Sequence, residues 1–427
     1  MSTSNKLTLQ AAILINVNIM AGAGIFVNIV HLTHALNLYS SLLYGLIGII
    51  MFPLVYSFAQ LVTMYPSGGL YAFAKPLSPS LGFLSCWTYF FGKLASVALY
   101  LDVMTRFAKK FAPVSLGSVP SYYISLPMLA LYLVLNCMNV KLGVFIQKCF
   151  VIAKTVPMAI LIGLGVYHFD INIFELYEVP TGINFIMMIP SILYCYSGFE
   201  AACSVSRNII NPEKNASKAI LYSFFAIIAL YISFQTMVSM MLAGNISNIP
   251  DYTTAYPYLL SLAPVANWIQ SKIATLVSFM VAFSVMGAAY GILFSNSWNL
   301  YTLSQHNHTF MPKVFNKLNQ HGIPVAAIIA QGVICSFFLW ITQANQIQLQ
   351  QISAFSSAIA YTISIIAFVC ISRYYRAIGF LALCTCAVLI TSCTKSMVSY
   401  NPHTLYLFAT FMLLGMLMYQ VTLIRKK

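Results

Sequence analysis

Charge is what this chain has least of. Seven Asp and Glu occur in 427 residues, and charged residues of both signs make up only 7%, against about a quarter in soluble globular chains. With 60% hydrophobic residues and a mean hydropathy of +0.84, that scarcity excludes a water-soluble globular protein. A β-barrel is excluded too, because barrel strands alternate polar and apolar residues and do not show apolar runs of about twenty. No basic tract interleaved with aromatics is present, so the net charge of +14 does not point to nucleic acid. No glycine-rich phosphate loop is present, so ATP drive is not implied. The ten cysteines lack CxxC spacing and read as small apolar packing residues. The seven histidines (31, 34, 168, 306, 308, 321 and 403) fall at segment ends or in loops without metal-ligand spacing. Neither a metal nor a cofactor is expected. The clustered His, Asp or Ser/Lys groups of a membrane-embedded enzyme are missing as well. The first apolar run is too long for a signal core, so no cleavable leader is expected.

What the chain does have is about twelve apolar segments, each long enough to cross a bilayer. They lie at about 9–30, 38–62, 81–106, 121–140, 147–167, 183–206, 218–243, 267–303, 324–342, 351–372, 376–394 and 403–424. An even number puts both termini on one side. With the N-terminus inside, the inner segments hold Lys6, Lys75, Lys141, Lys148, Arg207, Lys214, Lys218, Lys313, Lys317, Arg373, Arg376, Arg425, Lys426 and Lys427. The outer ones hold only Arg106, Lys109, Lys110 and Lys395. Cytoplasmic loops carry the excess of Lys and Arg, so both termini are expected in the cytoplasm. The acidic loop with Asp170, Glu175 and Glu178, and the loop with Asp251, then fall outside.

Two segments are interrupted. The first breaks at Ile19-Met-Ala-Gly-Ala-Gly-Ile-Phe26, and the sixth at Ser191-Ile-Leu-Tyr-Cys-Tyr-Ser-Gly-Phe-Glu200. Glycine-broken apolar helices are costly in lipid, because the freed backbone groups need partners. Breaks at matching places in two halves point to a transporter's substrate site. Five segments followed by five more put the sixth in from the opposite side. The expected architecture is therefore an all-α polytopic membrane protein of twelve helices. Residues 1–175 form a first five-helix repeat, 176–373 a second, inverted one, and 374–427 two extra helices and a short tail. Beyond its break, the first helix presents free N–H groups and a positive dipole end, so Ala23, Gly24 and Ile25 are candidate partners for a substrate carboxylate. The half-helices that end at the breaks offer carbonyls to an ammonium group. Close helix packing alone is the competing explanation for Gly22 and Gly24.

Ionisable groups inside the membrane mark function by default. Glu200 has three open roles: proton carrier, partner for a cationic substrate, or a structural group bonded to backbone freed by the break. Lys154 lies a third of the way into the fifth segment, where it either acts within the core or snorkels to the interface. Lys93, midway along the third, needs a partner that the sequence does not name. Asp102 is expected to pair with Arg106, one turn on. Tyr194 and Tyr196 precede the second break and are candidate covers for a bound substrate, and Phe294 is a candidate aromatic wall.

Four motifs carry a resemblance. Ala21-Gly-Ala-Gly-Ile-Phe26, Tyr65-Pro-Ser-Gly-Gly-Leu-Tyr71 with Leu81-Gly-Phe83 and Trp87, Tyr196-Ser-Gly-Phe-Glu-Ala-Ala202 with Asn211-Pro-Glu-Lys-Asn215, and Met311-Pro-Lys-Val-Phe315 with Gly322-Ile-Pro324 resemble, in order, landmarks of the amino acid–polyamine–organocation (APC) permeases. The chain departs from them after the sixth helix, with Arg207-Asn208, and after the eighth, with Ser304-Gln-His-Asn-His308. The resemblance implies the APC fold and a secondary transporter that moves an amino acid or related amine by alternating access, as an exchanger or proton-coupled symporter. A non-transporting sensor or scaffold of the same fold is the alternative. By similarity to the arginine/agmatine antiporter branch, Met20, Tyr194 and Ser197 are the substrate-amine positions, and Tyr194 gates. By similarity to proton-coupled relatives, Lys154 stands where others hold sodium. The implied partners are a small-molecule substrate, protons and the bilayer of the plasma (inner) membrane. The oligomeric state is left open.

Overall fold

The computed structural model describes residues 6–111, 119–170, 172, 179–343 and 345–424. Glu175, Glu178, Arg425, Lys426, Lys427 and the side chain of Lys110 lie outside the described residues.

Seventeen α-helices run through the described residues. They are α1 (Leu9–Met20), α2 (Ala23–Leu36), α3 (Ser40–Met64), α4 (Gly69–Ala74), α5 (Pro79–Phe111), α6 (Ser121–Asn136), α7 (Val140–Tyr167), α8 (Gly182–Tyr196), α9 (Ala201–Ser204), α10 (Pro212–Ala243), α11 (Tyr252–Ser261), α12 (Asn267–Gln305), α13 (Pro312–Phe315), α14 (Val325–Ile341), α15 (Gln346–Ile371), α16 (Arg376–Tyr400) and α17 (His403–Ile424). Each expected apolar segment coincides with one helix or, at the first and sixth, with two halves. Local sequence sets several of the starts. Thr8, Asn139, Asp251 and Asn345 each accept a first-turn N–H of the helix they precede, which satisfies donors that a helix leaves free.

Seven helical stretches are long and apolar enough to cross a membrane, and three shorter apolar helices accompany them. Large apolar side chains cover the outside, among them Leu42, Ile49, Trp340 and Leu417, each more than half exposed. Such a belt is stable against hydrocarbon and not against water. The chain is a polytopic helical membrane protein.

The interrupted helices form the centre. α1 packs on α7, α10 and α12, while α2 packs on α8. α5 runs along both α12 and α15. Gly68 and Gly69 of the Tyr65–Tyr71 motif hold φ of 112° and 54°, a turn open to glycine at little cost. It sends α4 onto α9, where Gly69 faces the Cys203 carbonyl. Leu7 exchanges backbone hydrogen bonds with Asn208 and Ile210, tying the N-terminal strand to the chain just beyond α9.

Candidate functional site

The two breaks lie against each other. A Cβ on Gly198 would stand 2.7 Å from Ile19 Cγ2 and 3.2 Å from the Met20 nitrogen. One on Gly24 would stand 2.8 Å from Cys195 Sγ and 3.2 Å from Tyr194 Cδ1. Each glycine therefore admits the other half-helix at backbone range, and Gly198, at φ 129°, also needs a conformation that L side chains avoid. Between them, α2 starts at Ala23 with Gly22 as N-cap and no side-chain cap. The N–H groups of Ala23, Gly24 and Ile25 thus have no intrahelical acceptor. Two tyrosines cover them: Tyr194, and Tyr100 of α5, whose hydroxyl approaches Gly22. Their rings meet edge to face at 6.3 Å.

Polar side chains knit the breaks together. Asn16 of α1 donates to the Phe199 carbonyl at 2.8 Å and accepts from Ala202 N–H at 2.9 Å, capping α9 from across the core. Tyr231 of α10 places its hydroxyl 2.5 Å from the Met20 carbonyl and 3.1 Å from that of Cys195, one group shared by the ends of α1 and α8. Asn18 bonds Gln147 of α7 and the Gly287 carbonyl of α12.

Three buried charges sit among these groups. Lys154 donates to the Asn18 and Ala21 carbonyls at 2.7 and 2.8 Å. It is 1% exposed, so it does not snorkel. Carbonyls expected to be free at the end of α1 are held by the protein's own groups, because a helix end inside lipid must be satisfied. Glu200 pairs with Lys93 at 2.8 Å, accepts from the Tyr89 hydroxyl at 2.8 Å and takes the Gly198 N–H at 2.9 Å. Lys93 also reaches Ser197 Oγ at 2.5 Å and lies over the Tyr89 ring. Asp102 binds Arg106 at 2.8 Å, as their spacing predicts.

Of the residues singled out by sequence, Met20, Ala23, Gly24, Ile25, Tyr194, Ser197, Glu200 and Lys154 meet at the breaks. Tyr196 turns away, donating to the Tyr44 carbonyl and stacking near Phe224 and Tyr231. Phe294 lines a separate void with Ile15, Gln147 and Tyr290 of about 10 Å³, room for a single water. The pairing of Lys93 with Glu200, and the residues Asn16, Tyr89, Tyr100 and Tyr231, were not named from sequence. Only Lys93, as an unpartnered charge deep in an apolar run, gave a signal.

A vestibule of about 490 Å³ opens at the end opposite Leu7. Its floor, Val27, Asn28 and Ser191, lies one helical turn beyond Gly24. At the other end the two departures from the family pattern meet. Arg207 donates to Gln305 at 2.7 Å and Thr302 at 3.1 Å and lies over Tyr301, and Tyr71 bonds His308 at 3.0 Å.

A fold of membrane helices around two interrupted, mutually packed helices, with an uncapped helix start and buried charges at the interruption, defines a polytopic integral membrane protein. The chain belongs to the amino acid permease family, which it matches over residues 7–425. Its relatives include the lysine-specific permease of Lactococcus lactis, 24% identical over 73% of this chain and 64% of that protein. The serine/threonine exchanger of Bacillus subtilis is 24% identical over 72% of this chain and 69% of its own length. The b(0,+)-type amino acid transporter 1 of Homo sapiens is 25% identical over 79% and 70%. The chain spans a little under two thirds of the lysine-specific permease, the serine permease of Lactococcus lactis (65%) and the amino-acid permease of Bacillus subtilis (63%).

Proposed function

We propose that this protein is a secondary active transporter that moves an amino acid across the plasma (inner) membrane by alternating access. The observation that carries the reading is the uncapped α2 N-terminus at Ala23–Ile25, set against the α8 break with Tyr100, Ala288, Tyr194 and Cys195 packed around it. A substrate carboxylate accepts from those N–H groups, and the substrate ammonium turns to the end of α8 at Tyr194 and Ser197. Tyr100 and Tyr194 move aside to admit it from the vestibule and then close over it.

The reading takes the chain across the bilayer twelve times. Leu9–Met64 is 56 residues long, enough for two crossings at about twenty residues each. The six other long stretches, the three shorter apolar helices and α5 bring the sum to twelve. Residues 1–175 and 176–373 are the two inverted halves, 374–427 adds α16 and α17, and both termini face the cytoplasm. One bundle rocks against the other about the midplane site.

Lys154 is the coupling group of the proposal. Protonated, its ammonium pins α1 through Asn18 and Ala21; on losing the proton it releases part of that hold, so substrate movement and proton movement become linked. Labelled amino acid uptake into proteoliposomes, with and without a proton gradient, tests the function. Uptake driven by the gradient marks a symporter, and uptake only against preloaded amino acid an exchanger. Binding without uptake would replace transport by a sensor.

A further inference from the structure

We infer that Lys93 sets the charge class of the substrate: the centre admits amino acids with uncharged side chains and rejects lysine, arginine and their decarboxylated amines. The inference rests on the proposed amino acid site at the breaks and names what that site selects.

A buried cationic group needs a carboxylate or several free acceptors. Among the described residues, the buried charged side chains are Lys93, Asp102, Lys154 and Glu200. Asp102 is engaged with Arg106 toward the outer end of α5, so Glu200 is the one carboxylate at the breaks. It is already committed. Oε1 takes Lys93 and Tyr89, and Oε2 takes the Gly198 N–H. Lys93 bridges from that carboxylate to Ser197 Oγ, the side chain at the end of α8 nearest the proposed amine subsite. An internal ammonium thus occupies the position in which a cationic side chain would look for its counter-charge. Lys154 adds a second positive charge, satisfied by carbonyls alone. With Lys154 protonated, the centre carries two cations and one anion, a net charge of +1. A substrate with a net positive charge entering it meets like charge in a dry site and, among the described residues, no uncommitted carboxylate, which is exclusion by an unfavourable element. A zwitterion with an uncharged side chain adds no net charge.

The test measures binding to the purified full-length protein by thermal shift and competition, using serine, leucine, phenylalanine, lysine, arginine, cadaverine and agmatine as probes. The wild type should bind at least one neutral amino acid, with lysine, arginine and both amines weaker by about 100-fold or more. Lys93→Met, which frees the Glu200 carboxylate, should improve the cations relative to the neutral ligand by about tenfold or more. Lys93→Arg should keep them excluded. Should Lys93→Met not fold, Lys93→Met/Glu200→Gln provides the comparison. It removes the pair as neutral groups and leaves Lys154, so cations stay excluded. Wild-type binding of lysine or a diamine within about tenfold of the best neutral ligand overturns the inference and leaves the amino acid site standing. So does a folded Lys93→Met that gains nothing for cations. Failure of every amino acid to bind overturns the site itself and the inference with it.

Discussion

Asn16 is the side chain whose removal tests the packing of the two breaks most severely. Its amide donates to the Phe199 carbonyl and to Ser223 Oγ, and its oxygen accepts from Ala202 N–H, with the residue fully buried. Asn16→Ala strands one backbone acceptor and one backbone donor beside the α8 break. Ser223 keeps its bonds to the Ala219 and Ile220 carbonyls and contributes little to the loss. A buried polar group left without a partner costs about 1–3 kcal/mol, so two cost about 2–6 kcal/mol, with a cavity term added. Asn16→Asp keeps the acceptor for Ala202 but offers Phe199 no donor unless it is protonated, so it should fall between. The assay is thermal unfolding in detergent, with the half-buried Asn245→Ala as control, followed by uptake in liposomes. The expected order of stability is wild type, Asn16→Asp, Asn16→Ala, with uptake falling in the same order. An Asn16→Ala protein as stable as the Asn245 control would refute the claim that this side chain joins the breaks.

Two further outcomes follow from the same centre. Gly198→Ala should lower stability by about 2 kcal/mol or more, because a side chain at φ 129° meets Ile19 and the Met20 backbone, and strained backbone of this kind costs about 1–3 kcal/mol before any clash; an unchanged melting point would contradict the close crossing of the breaks. Lys154→Ala should abolish the dependence of uptake on a proton gradient while exchange persists, and full proton dependence in that variant would remove Lys154 from the coupling.

The elements that sequence made legible were those whose cost in lipid is local. A glycine pair inside an apolar run, or a charge within one, is expensive wherever the run ends up, so the breaks at Gly22–Gly24 and Ser197–Gly198, and Glu200, Lys93 and Lys154, stood out before any fold was known. Asp102–Arg106 was legible because its partners sit one turn apart on one helix. The Lys93–Glu200 pair was not, since its members come from α5 and the α8 break and nothing local joins them. Asn16 and Tyr231 were hidden for another reason. A single Asn or Tyr in an apolar helix has no distinguishing price, and only the packing shows that each meets backbone groups freed by a break. Tyr196 stood out because it precedes the second break, and Phe294 as an aromatic residue on the eighth segment, but Tyr196 reaches Tyr44 and Phe294 lies with Tyr290 and Gln147. Arg207 and the segment from Ser304 to His308 lie about a hundred residues apart in sequence, and only the packing shows that they meet, through Gln305.

The central claim, that an amino acid is carried at the uncapped start of α2, is tested most directly by counterflow of labelled amino acids in proteoliposomes, wild type against Gly24→Val. The side chain introduced at Gly24 would drive into Cys195 and Tyr194 and cover the N–H groups that receive the carboxylate. The account predicts accumulation by the wild type of at least one amino acid and none by a Gly24→Val protein that remains monodisperse after purification. Equal accumulation by both would contradict it.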